Sequence, residues 1–135
     1  MAYEIPGGAR IGTLLPNSSL FAGYQYRGVA ASTVLGKAKI PGTTTGKNFL
    51  GVLQNAPSSN EPCEIWPACG CVTKVLANST LVTIGKRVFF GTDGIAKSST
   101  GANTGALLFG PVLETCGSTA GAIISLVLQP LASTF

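Results

Sequence analysis

Gly, Pro, Ser, Thr and Asn recur every several residues along this chain, and the apolar runs between them are too short to make helices. The runs are rich in Val, Ile, Leu, Thr and aromatic residues, which suit a pleated, half-buried surface. Short strands set off by frequent turn signals point to an all-β fold. The spacing predicts strands over Leu20–Ala30, Val34–Ile40, Asn48–Gln54, Cys63–Pro67, Gly70–Ala77, Arg87–Phe90, Ile95–Lys97, Leu107–Glu114 and Ala122–Gln129. Lys37-Ala38-Lys39-Ile40 and Cys71-Val72-Thr73-Lys74-Val75 alternate as half-buried strands do. Thr92-Asp93-Gly94 carries a hairpin signal, and Pro41–Gly46 and Ala56–Asn60 read as loops.

A chain of 135 residues fits one domain. Residues 1–19 lack periodicity and contain Pro6, Gly7, Gly8 and Pro16, so they read as an extended N-terminal arm, either frayed or tied to a neighbour. Residues 20–135 then form a single β-domain. Within it the order of motifs repeats: Leu20–Gly28 resembles Val82–Gly91, Gly36–Lys39 resembles Gly94–Lys97, and Thr45–Gln54 resembles Thr104–Glu114. Each half ends in an apolar strand, Cys63–Trp66 and Ala122–Val127. The expectation is a compact β-barrel or β-sandwich of short antiparallel strands, built from two pseudo-repeated halves at about 20–77 and 82–129.

Composition narrows the function classes. Only 10% of residues are charged while 45% are hydrophobic, against about 25% charged in an ordinary domain. Such a chain has too little charge to cover a free monomer and is expected to hide surface in an assembly. The net charge of +4 comes from a scarcity of acids, not from a basic stripe, so no nucleic-acid partner is expected. No apolar signal segment is seen near Met1. The uncharged tail after Glu114 is broken by Gly117, Gly121 and Pro130, well short of the roughly 20 apolar residues of a membrane helix, so no membrane partner is expected either.

Enzyme chemistry is poorly provided for. The chain has no histidine, which removes the usual general base near neutral pH and most catalytic zinc designs. Glu61 and Glu64 are the closest acids between Glu4 and Asp93, and they read as solvated charge at a loop edge. Gly42–Asn48 looks like a phosphate loop, but its glycines are one residue too close, Asn48 stands where Ser or Thr should hold Mg²⁺, and no helix follows. Cys63, Cys69, Cys71 and Cys116 do not have zinc-knuckle spacing. Reduced, packed thiols are the first reading, with a disulfide or a metal as alternatives. Cys69 and Cys71 are expected on one face of a strand. The Asn17-Ser18-Ser19 and Asn78-Ser79-Thr80 acceptor patterns mean nothing without secretion. No enzyme activity and no cofactor are expected.

The aromatics are the remaining clue. Tyr24 and Tyr26 are expected on one face of a strand, and Trp66 at a strand end. Each is either core or an anchor at a subunit contact, where Trp and Tyr are enriched. The candidate contact set is Tyr24, Tyr26, Arg27 and Trp66, with Ile5 and Arg10 on the arm.

Gly51-Val52-Leu53-Gln54-Asn55-Ala56-Pro57, the strand Gly70-Cys71-Val72-Thr73-Lys74-Val75, and Gly110–Glu114 leading through Gly121 to Ile123–Leu128 together resemble the capsid decoration (cement) proteins of tailed phages. The likeness spans about residues 20–129. It implies a small β-barrel or sandwich, often a homotrimer, on the outside of a virion and made in the host cytoplasm. Its partner would be the major capsid protein, whose neighbouring subunits it clamps. The alternative is a binding module displayed on the virion, such as a head-fibre or receptor- or glycan-binding β-domain. Cysteine is unusual in that family, and Cys69 and Cys71 take no role from it.

Overall fold

A computed structural model describes residues 10–17, 22–42, 48–78, 83–99, 107–115 and 121–131, and among these it is all-β, without an α-helix. Eleven short strands follow in order: β1 (Leu15–Pro16), β2 (Gly28–Ala31), β3 (Lys37–Lys39), β4 (Phe49–Leu53), β5 (Ile65–Pro67), β6 (Cys71–Leu76), β7 (Val88–Phe90), β8 (Ala96–Ser98), β9 (Leu108–Phe109), β10 (Ile123–Leu128) and β11 (Pro130–Leu131). Ile5 and the rest of residues 1–9, Ser18 to Phe21, the Thr43–Lys47 loop, Thr104–Ala106 and Cys116 lie outside the described residues.

The strands make three sheets, ordered β1-β3-β2-β4-β5, β10-β6 and β11-β9-β7-β8. The first sheet curls until one segment serves both of its edges. Leu15 and Pro16 pair in parallel with Lys37 and Ala38 of β3. Just upstream, Ile11 and Ile65 of β5 exchange two N–H···O bonds of 2.9 Å, and the Cys63 N–H donates to the Leu14 carbonyl at 2.7 Å. Residues 10–17, expected in an arm, are therefore built into this sheet. Extended chain at an open sheet edge finds ready N–H and C=O partners, which outweigh the lack of side-chain periodicity.

The β4–β5 pair is a wall between two cores. Side chains alternate along strands, so the cross-strand partners Val52 and Trp66 face one side while Leu53 and Ile65 face the other. The larger core joins Val52 and Trp66 to Cys71 and Val75 of β6, Phe90, Phe109, and Ile124, Leu126 and Leu128 of β10. The smaller core, inside the curled sheet, holds Val29, Ala38, Leu53, Cys63 and Ile65, with Ile11, Leu14 and Tyr24 packed on it. Phe49, Phe90 and Phe109 meet at centroid distances of 4.8–5.5 Å. Gly28 borders them closely enough that a Cβ there would lie 2.8 Å from the Phe49 ring.

Matching bonds occur in the two halves of the chain. The Tyr26 N–H donates to the Leu53 carbonyl and the Leu53 N–H to that of Arg27; later, Gly85 donates to Val112 and Val112 to Lys86. Gln54 donates to the Glu64 carbonyl, as Leu113 does to that of Ser125. Gly36 and Gly94 both have φ 74°, and Gly51 and Gly110 have φ 156° and 155°.

The expected strands survive mostly in shortened form, but Leu20–Ala30 does not. Among its described residues only those from Gly28 on are strand; Ala22–Tyr24 is a 3₁₀ turn, and Tyr26 takes φ 66°. Tyr24 and Tyr26 thus share no strand face. Cys69 likewise precedes β6 in an exposed turn, whereas Cys71 is buried on the strand.

Candidate functional site

The candidate contact residues resolve into two separate cation–aromatic pairs. Arg10, exposed at the end of the sheet-closing segment, forms an ion pair with Glu64 and holds its guanidinium 5.3 Å from the Trp66 ring centroid. Trp66 itself is only 5% exposed and belongs to the larger core, with its indole Nε1 buried and unpartnered among the described residues. It contributes packing, and Arg10 covers it.

The second pair is built by the turn before β2. The Arg27 guanidinium lies 4.7 Å from the Tyr24 ring centroid and one of its terminal nitrogens donates to the Asp93 carbonyl at 3.4 Å. The Arg27 Nε is buried without a partner among the described residues. The backbone fixes this turn from three sides: the Tyr26 N–H donates to Leu53, the Tyr26 carbonyl accepts from Leu76 at 2.7 Å, and the Gly28 N–H donates to Gly94 at 2.7 Å. Tyr26 is half-buried beside the pair. The turn joins the curled sheet to β6 and to the β7–β8 hairpin.

The Gly51–Pro57 motif acts on the fold. A Cβ on Gly51 would stand 2.1 Å from the Trp66 carbonyl oxygen, so only glycine lets β4 approach β5. The buried Gln54 donates through Nε2 to Thr73 Oγ1 at 2.8 Å, and its carbonyl accepts from Gln25 Nε2 at 2.7 Å, tying β4 to β6 and to the Tyr24–Arg27 turn. Asn55 closes the following loop, donating to the Pro62 carbonyl at 2.9 Å and accepting from the Glu64 N–H at 2.8 Å.

Cys63, Cys69 and Cys71 are free thiols. Burial raises Cys63, and burial followed by the adjacent Cys69 thiol pushes Cys71 up to about 11. A thiol held neutral in this way is a poor nucleophile and a poor metal ligand. Among the described residues no three His, Cys, Asp or Glu side chains gather into a metal-binding group, and no helix is long and apolar enough to cross a membrane.

One set of residues was not legible as exposed in the sequence. Val34, Leu35, Ile84, Leu107 and Ile123 are large apolar side chains exposed to water, Leu35 at 98% and Ile84 at 65%. Val34 and Leu35 were expected to begin a strand. Gly36 directly after them was the available signal, because its φ of 74° makes the preceding residues a hairpin tip. Compared with known proteins, the chain matches no family model and no curated sequence.

Proposed function

We propose that this chain is a structural virion protein that binds the outside of an assembled phage capsid and stabilises it by clamping neighbouring major capsid subunits. The proposal is carried by five large apolar side chains that stand in water among the described residues, on a chain with only 10% charged residues. Exposed apolar groups on so charge-poor a surface favour association. The resemblance of Gly51–Pro57 and Gly70–Val75 to decoration proteins supports the choice of partner, since both segments build the central wall and β6. In the same proposal the protein is a homotrimer without enzymatic activity, and its halves are copies of one β-unit, which the matched bonds support.

The mechanism is binding linkage. A protein that binds only the expanded shell shifts the balance toward that shell by mass action, and several attachment points on a symmetric lattice add avidity. Light scattering gives the oligomeric state of the purified protein, and co-sedimentation with expanded, undecorated shells tests binding. Shells saturated with the protein are expected to resist heat better than bare ones. A stable monomer that never co-sediments with expanded shells overturns the proposal.

A further inference from the structure

The two halves turn their first hairpins with different residues. Between β7 and β8, the Gly94 N–H donates to the Gly91 carbonyl at 2.9 Å, and Asp93 Oδ1 accepts the Ile95 N–H at 3.1 Å. Asp and Gly are what such a turn requires: the carboxylate satisfies a local N–H and glycine takes the positive φ. Between β2 and β3 the corresponding glycine, Gly36, has the same φ of 74° as Gly94, but Val34 and Leu35 precede it. The local bonds there come from elsewhere, with the Val34 N–H donating to Ser32 Oγ at 3.1 Å and the Lys37 N–H to the Val34 carbonyl at 3.2 Å. Leu35 therefore gives the turn nothing, and at 98% exposure it gives the core nothing.

Charge indicates what covers it. Lys37 and Lys39 flank the buried Ala38 on the outer side of β3, and no Asp or Glu occurs from Ile5 to Asn60. The chain's own described acids are largely engaged: Glu64 with Arg10, Asp93 with Lys97 at 3.5 Å, Glu114 with the Ser125 N–H, and Glu61 with the Ser58 N–H. A second copy is thus a poor source of an acidic surface.

We infer that the Val34–Leu35 tip is a plug that enters an apolar pocket rimmed by carboxylates on the capsid subunit, with Lys37 and Lys39 meeting the rim. This rests on the proposed capsid-binding function. The test compares wild type, Leu35→Asp, Leu35→Met and a Lys37→Gln/Lys39→Gln double variant. Each is measured for thermal melting, sedimentation and binding to expanded, undecorated shells at low and high salt. Leu35→Asp, which copies the turn chemistry of Asp93, is expected to melt with wild type and to bind shells at least tenfold more weakly. Leu35→Met is expected to stay within about threefold, and the double variant to lose affinity and show a flatter salt dependence. Wild-type shell binding by a well-folded Leu35→Asp overturns the plug while leaving capsid binding intact. A lowered melting temperature for that variant, or the loss of a wild-type oligomer, also overturns it, because Leu35 then packs within the chain or against a second copy. Absence of wild-type binding to shells overturns the capsid proposal and the plug together.

Discussion

A methyl group on Gly51 would meet the Trp66 carbonyl oxygen at 2.1 Å on a backbone already at φ 156°, so strand spacing in the central wall is set at one atom. Tyr26 presents the opposite case, a bulky residue at φ 66° where the matching bonds of the second half place Gly85 at φ 78°. A left-handed conformation costs an L-residue about 1–2 kcal/mol. Open space surrounds Gly85, so Gly85→Ala should lose about 1 kcal/mol through the backbone alone. Tyr26→Gly should be close to neutral, because relief of the turn offsets the greater freedom of glycine in the unfolded chain. Urea denaturation of the two variants checks both signs, and a near-neutral Tyr26→Gly would assign the tyrosine to a role outside folding.

Cys71 makes a pH prediction. Its thiol ordinarily titrates at 9.0 and in the folded protein at about 11, owing first to burial and then to the Cys69 thiol. Between these values the native state keeps a proton that the unfolded chain has lost, so unfolding is favoured increasingly as pH rises through the window. Below 9.0 both states are protonated and this contribution is complete. Chemical denaturation across the window should show stability falling with pH, and Cys71→Ala should flatten the slope relative to wild type. A slope unchanged by the substitution would assign the effect to other groups.

At the scale of the element, the β4–β5 wall ties the two cores together. Trp66 fills the larger one while Ile65, its neighbour, fills the smaller. Truncating a buried Trp typically costs about 3–5 kcal/mol, a large part of the roughly 5–15 kcal/mol that holds a domain together. Trp66→Ala should therefore depress thermal melting strongly, with any loss of shell binding following the loss of fold. A variant that melts with wild type yet fails to bind would instead make Trp66 an anchor. The strands of the wall were readable as short apolar runs between turn signals, Asn48–Gln54 and Cys63–Pro67, but their opposite faces were not, because a strand buried on both sides loses its polar alternation. Nor was the turn before β2 readable. Leu20–Tyr26 has strand composition, but at Tyr26 the chain is held out of a strand by backbone bonds to Leu53 and Leu76, partners distant in sequence. The same limit hid the Arg10–Trp66 and Arg27–Tyr24 pairs, since cation and ring meet only after the sheet has curled.

For the whole molecule, the decisive feature is the segment that hydrogen-bonds both edges of the curled sheet. Ile11 and Leu14 add apolar cover to the smaller core, and the bonds to Ile65, Cys63 and β3 leave neither edge free. Without that segment, β3 and β5 would each present unpaired backbone groups, which invites edge-to-edge association. Two N-terminal truncations isolate its contribution, one beginning at Arg10 and one at Ser18. They differ only by the segment itself. Fully burying an aliphatic side chain is worth about 1.5–3 kcal/mol, and Ile11 and Leu14 are partly buried, so losing them with their backbone bonds should cost on the order of 3 kcal/mol. The expected result is a cooperative melt for the chain beginning at Arg10. The chain beginning at Ser18 should show a melt many degrees lower, or aggregation through the opened sheet. Equal melting temperatures would mean that the sheet holds its curl without closure, and residues 10–17 would then behave as part of the arm expected over residues 1–19.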